Sequence, residues 1–162
     1  MQHPLALASG VLGVAAVLGT LALPPRPTTP PPPNGHLVLV IEGDAKGLEV
    51  THVTAKADPY NRVYGPKTSH EIALFDRNGT ELGRYPLDLS KFDLDPANVG
   101  KPVRSEGCTI IESKVVMLTN IPWLPNTSYL EIRRGATKVG ELTVANYSRL
   151  VGAAAETLER QR

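Results

Sequence analysis

The first 33 residues constrain what the rest of the chain can be. An apolar run without a charged residue extends from Pro4 to Leu23 and passes straight into Pro24-Pro25-Arg26-Pro27-Thr28-Thr29-Pro30-Pro31-Pro32-Pro33. Wound as a helix, that run reaches about 30 Å, enough to cross the hydrocarbon layer of a bilayer. The prolines that follow can neither continue a helix nor sit inside a sheet, so they predict a stiff, extended spacer. The expected layout is a signal peptide or transmembrane anchor over 1–23, a proline-rich spacer over 24–35, and a folded domain after it. Gly10, Gly13 and Gly19 suit a membrane helix, whereas a small residue at Ala22 suits a cleavage point. Met1-Gln2-His3 lacks the basic flank of either kind of segment, and Arg26 lies on the far side. On both readings the domain is exported. It is either secreted or anchored in the membrane through residues 4–23, facing the periplasm or the cell exterior.

Charge excludes some partners. The chain carries 17 Lys and Arg against 16 Asp and Glu. Residues 36–146 hold 13 basic and 14 acidic residues, with the two signs interspersed. No basic face for nucleic acid results, and no polybasic cluster for anionic lipid. Cys108 is the only cysteine, so neither an intrachain disulfide nor a cysteine-built zinc site can form. It reads as a small buried hydrophobe or, in an oxidising compartment, as a partner for an intermolecular disulfide.

From His36 the pattern is one of short β-prone runs cut by turn signals, which predicts an all-β domain over 36–147. Leu37-Val38-Leu39-Val40-Ile41 reads as a buried strand. Leu48-Glu49-Val50-Thr51 alternates, and then Val53, Ala55 and Ala57 continue with the phase shifted by one, so a bulge is expected near His52. Asn78-Gly79 between Glu71–Phe75 and Glu81–Tyr85 predicts a hairpin. Thr109–Ile121 is expected to form one bent strand. Tyr129–Arg133 and Lys138–Val144 pair across the turn at Arg134-Gly135-Ala136. About seven strands without intervening helices predict a two-sheet sandwich. Asp58–Ser69 and Leu87–Gly107 read as long connections that carry function. Over 148–162, Leu150, Ala154 and Leu158 recur at helical spacing with Ser148 as cap, predicting a short amphipathic helix or tail.

Chemistry is sparse. Ser69-His70-Glu71 places three catalytic residue types in a row, but neighbours on a strand face opposite ways and form no triad among themselves. No nucleophile-elbow G-x-S-x-G is present. No His follows Cys108, which rejects a blue-copper site. Asp93, Asp95 and Asn98, with Asp88 in addition, are candidate ligands for a loop calcium ion, but they lack the EF-hand order of ligands. The bland alternative for them is an acidic turn held by Asx-type caps. Trp123, between Pro122 and Pro125, is either a core corner or, if exposed, a stacking platform. Tyr60 and Tyr64 form an aromatic pair on the first long connection. The candidate ligand-binding residues are thus Tyr60, Tyr64 and Trp123. No cofactor and no catalytic residue is assigned. Three sequons, at Asn78, Asn126 and Asn146, fall at turns or strand ends.

The run His70-Glu71-Ile72-Ala73-Leu74-Phe75-Asp76-Arg77-Asn78-Gly79-Thr80-Glu81-Leu82-Gly83 resembles the "strand, D-x-x-G, strand" hairpin of bacterial immunoglobulin-like modules. The stretch Val115–Val144 is similar to their closing strands. Such modules accompany secreted peptidases and surface proteins, usually as non-catalytic parts. The cysteine pair of antibody-type domains is missing, and the resemblance assigns no binding residue. It implies an immunoglobulin-like two-sheet sandwich acting as a binding, adhesion or accessory module for a protein or glycan. One alternative is a structural subunit of an envelope or surface assembly that pairs through its strand edges. Another is a small exported hydrolase using His70 or His52.

Overall fold

The computed structural model describes residues 34–61, 68–95, 98, 101–102, 104–107 and 109–161. The apolar segment 1–23, the prolines up to Pro33, Tyr64 and Cys108 lie outside the described residues, and so do the expectations placed on them. Among the described residues no helix is long and apolar enough to cross a membrane. Asn34 and Gly35, assigned above to the spacer, already bond to the fold: Asn34 O accepts from Tyr60 N at 3.1 Å, and Gly35 O from Trp123 N at 3.0 Å.

The described chain is mostly strand, closed by one helix. Its elements run β1 (His36–Asp44), β2 (Gly47–Lys56), β3 (His70–Phe75), β4 (Glu81–Leu87), β5 (Arg104–Glu106), β6 (Thr109–Ile111), β7 (Val115–Pro122), β8 (Tyr129–Arg134), β9 (Thr137–Leu142) and α1 (Val144–Arg160). Seven strands hydrogen-bond in the order β4-β3-β8-β9-β2-β1-β7, while β5 and β6 form a separate small ribbon. Every pairing between neighbours in the large sheet is antiparallel except β2 with β9.

Local sequence explains the strands. In β1, Leu37, Leu39 and Ile41 are fully buried, whereas Val38 and Val40 are half-exposed on the other face. The run is therefore one-sided, not buried throughout. Each of the three inward side chains contributes about 1.5–3 kcal/mol by leaving water. The bulge lies where the phase shift places it. Val40 pairs with His52 and Ile41 with Val50, so Thr51 is the extra residue. It lets Leu48 and Val50 on one side, and Val53 and Ala55 on the other, all face inward.

The Asn78-Gly79 hairpin joins β3 to β4. Only Gly79 takes positive φ, at 84°. Asp76 organises the turn: its Oδ1 accepts from Asn78 N and Thr80 N, both at 2.8 Å. The extra residue on β4 is absorbed by a register shift, Leu74 facing Gly83 and Phe75 facing Glu81. Thr109–Ile121 departs from its expectation. It forms two strands, β6 and β7, which pair with different partners, β5 and β1. Between them Glu112 bridges Phe92, and its carbonyl accepts from Asp93 N at 2.7 Å.

The helix begins four residues before Ser148, capped by Thr143, whose Oγ1 accepts from Asn146 N at 3.5 Å. Its buried stripe is Tyr147, Val151, Ala154 and Ala155, at helical spacing. Leu150 and Leu158 are only partly buried beside it. The helix lies mainly on β2 and touches β8.

One hydrophobic cluster takes side chains from β1, β2, β3, β7, β8, β9 and α1, so the sheet curls round a single core. The expected separation into two sheets meets one feature that sequence patterning does not reveal. Leu48 and Gly140 pair in parallel, joining β2 to β9. A Cβ at Gly140 would stand 2.1 Å from the Leu48 carbonyl oxygen, so only glycine permits that approach.

Candidate functional site

The alternation of β3 turns His70, Ile72 and Leu74 towards the core, with His70 at the open end. His70 is the only polar side chain among the described residues that is buried. It stands opposite Arg134 in the β3–β8 pairing and opposite Leu87 in the β3–β4 pairing. The chain then leaves β4 through Asp88, whose Oδ1 accepts from Ser90 N at 3.0 Å. That turn brings Leu89, Phe92 and Leu94 beneath the strand ends. A cleft of about 610 Å³ results, lined by Thr68–His70, Asp88–Ser90, Phe92, Leu94 and Arg134. This size is within the usual range for small-ligand sites.

The walls of the cleft are polar and its floor is apolar. Thr68 Oγ1 donates to His70 O at 2.5 Å, and the Ser69 hydroxyl lies 3.0 Å from His70 Nδ1. The turn after β8 closes on the same place, with Gly135 N donating to Ser69 O at 3.3 Å. Burial holds the His70 imidazole below its ordinary pKa, and the charge of Arg134 adds to this. The Ser90 hydrogen bonds hold the Asp88 carboxyl below its usual range. Leu89 is buried, and Phe92 and Leu94 are partly so.

Ser69 and His70 do meet, although neighbours on a strand should diverge. Ser69 precedes the first residue of β3, so strand alternation does not govern it. Glu71 obeys the rule: it lies on the opposite face and pairs with Arg84 at 2.5 Å. No carboxylate bonds His70 among the described residues, so the Ser–His contact lacks the third member of a triad.

The other candidates scatter. Trp123 is 7% exposed and belongs to the core, which leaves no face for a ligand to stack on and removes it from the binding set. Tyr60 meets the Tyr85 ring edge-on at 5.9 Å, away from the cleft lining. Asp93, Asp95 and Asn98 are wired as a turn, in which Asp95 O accepts from Asn98 N at 2.9 Å and the side-chain oxygens of Asp93 and Asn98 are engaged by protein donors. Asp93 Oδ2 is held by Arg104 at 2.5 Å and by Asn98 Nδ2 at 2.8 Å, and Asp93 Oδ1 by Asp95 N at 3.1 Å. Lys101 Nζ donates to Asn98 Oδ1 at 3.1 Å. Arg104 and Lys101 stand against the candidate calcium ligands, and among the described residues no group of three or more His, Cys, Asp or Glu side chains gathers. Asp88 belongs to the cleft and not to this turn.

Reading the sequence alone missed Arg134 and Ser90. Arg134 looked like a turn residue, and its place opposite His70 follows only from the β3–β8 register. Asp88-Leu89-Ser90 did carry a signal, an Asx-type turn directly after a strand.

A second feature distinguishes the two outer faces of the sheet. Over β4-β3-β8-β9 the outer face is a lattice of charges. Arg84 holds Glu71 and Glu81 at 2.5 and 2.6 Å, Arg133 holds Glu131 at 2.7 Å, and Lys138 holds Glu141. Over β1 and β7 the outer face carries an apolar centre, Val38, Val40, Val116 and Leu118, bordered by Glu42 opposite Val116 and Asn120 opposite Val38. Val116 and Leu118 are 65% and 67% exposed, and Leu118 faces the half-exposed Val40 across the β1–β7 pair. No family model, curated protein or solved structure matches this chain.

Proposed function

We propose that this chain is an exported, membrane-tethered and non-catalytic module of immunoglobulin-like sandwich type, serving binding, adhesion or accessory contacts to a protein. The halves β4-β3-β8-β9 and β2-β1-β7 are the two layers of that sandwich, and the apolar run before the prolines is the tether. One observation carries the reading: the outer face of one half is sealed by ion pairs, while the other exposes Val116 and Leu118 beside Val40. A contiguous apolar patch on a surface marks a contact site. A protein fits it better than a glycan, because sugar sites rely on aromatic platforms and Trp123 is buried.

Cross-linking of the full chain in its own membranes, followed by capture and mass spectrometry, tests this reading when run beside the double variant Val116→Asp, Leu118→Asp. A stoichiometric partner captured by the wild type and lost from the variant is the expected result. Equal capture by both forms would remove the face from the reading.

A structural subunit is the second reading, favoured by β7 itself. That strand ends the sheet order, carries no charge over Val115–Pro122 and has only β1 beside it among the described residues. Such an edge accepts another strand. A concentration-independent monomer in sedimentation counts against it.

A further inference from the structure

We propose that the cleft between the ends of β3 and β8 and the Asp88–Leu94 turn binds the carboxylate end of a peptide whose last residue is apolar. The site is lined by other residues than the β1–β7 face and does not depend on the reading given for that face.

Three groups of residues specify the ligand. Arg134 and His70 stand side by side across the β3–β8 pairing. Arg84 and Arg133, on the same half of the sheet, each hold a carboxylate. Arg134 holds none among the described residues, although it carries five donors and no acceptor. A guanidinium beside an imidazole is a pair of donors suited to an anion, while the Thr68 hydroxyl is already spent on His70 O. With the Ser69 hydroxyl donating to Nδ1, the neutral ring carries its proton on the other nitrogen, which is then a further donor.

The floor selects the kind of anion. Leu89, Phe92 and Leu94 offer apolar surface that a bare inorganic anion cannot use. Asp88 lines the same cleft and repels a second negative charge, which disfavours phosphate. Ser90 N occupies its Oδ1, and its remaining acceptor capacity suits an N–H donor. A carboxylate, an adjacent N–H and an apolar side chain are the three features of a peptide's last residue. A free apolar amino acid shares the carboxylate and the side chain but brings an ammonium in place of the amide. Capture of a terminal carboxylate by clustered donors is a known mode of peptide recognition.

The test is a calorimetric titration of the full chain in mild detergent with N-acetyl-leucine, N-acetyl-leucinamide and free leucine. The His70 ring protons are followed by NMR to locate binding. The same probes are run on Arg134→Gln, an exposed position at a strand end whose fold is checked by its melting curve. N-acetyl-leucine is expected to bind at least about tenfold more tightly than its amide, the scale of one charge-assisted hydrogen bond. Arg134→Gln is expected to abolish that preference while leaving the amide unchanged, and the His70 signals move with the acid alone. Preference for N-acetyl-leucine over leucine assigns the source as a peptide terminus. Preference for leucine overturns that source and leaves a free amino acid in its place. Equal binding of acid and amide, an unchanged preference in Arg134→Gln, or no response to any probe would overturn the proposal.

Discussion

At the scale of single residues, His70 makes the fold sensitive to mild acid. Burial keeps its ring neutral, so the folded protein binds that proton less readily than the unfolded chain does. Above the ordinary value of 6.5 the ring is neutral in both states and has no effect on stability. As the pH falls through that value the unfolded chain gains the proton first, and stability declines until the folded ring titrates as well. Urea unfolding followed from about pH 7 towards pH 5 is expected to show this decline, and His70→Gln to flatten it. Asp76, Glu81 and Asp88 act in a lower window. Their carboxyls are held below the usual range by hydrogen bonds, chiefly from Thr80, Arg84 and Ser90 respectively. What they contribute is present above that range and is lost only as the pH drops through it. Tyr147 behaves differently: burial pushes its phenol up, so it stays neutral throughout both windows.

At the scale of elements, two single-residue features decide the sheet. Thr51 is the first. Deleting it puts Leu48 and Val50 out of phase with Val53 and Ala55, so half of β2 must turn apolar side chains to solvent. Loss of a cooperative unfolding transition is expected, measured by circular dichroism in urea. Gly140 is the second. Gly140→Ala drives a methyl into the Leu48 carbonyl, with an expected cost of about 1–3 kcal/mol. Faster amide exchange confined to β2 and β9 would trace the loss to the join. The two features differ in how far the sequence exposes them. Thr51 is legible because a bulge writes a phase shift into alternating hydrophobicity, and Gly79 because a tight turn needs positive φ. Gly140 is silent, since a close backbone approach leaves no periodic mark on either strand. The helix lies between these cases. Leu150, Ala154 and Leu158 advertise a helical period, but the face that docks is centred on Tyr147 and Val151, and β2 chooses it. The cleft was the least legible part. Its members come from three separate stretches, and only the strand register brings Arg134 to His70.

At the scale of the whole molecule, the contrast between the outer faces predicts how the protein associates. Val116→Lys with Leu118→Lys alters side chains that are mostly in water, so the fold is expected to change by no more than about 0.5 kcal/mol per site. Concentration-dependent association, read by sedimentation, is expected to fall all the same, because the new charges must be desolvated in any contact. The same substitutions at Ile72 and Leu130, which are fully buried, would unfold the protein instead, so the pair of variants separates contact from stability. The placement of β1 has a mechanical consequence. The chain enters β1 at His36, on a strand flanked along its length by β2 on one side and β7 on the other. Tension applied to the first residue of β1 along the axis of that strand meets both neighbours together. It therefore has to shear two hydrogen-bond ladders at once and cannot peel them apart one rung at a time. The end nearest the proline-rich segment is thus the part of the sheet best built to resist being pulled.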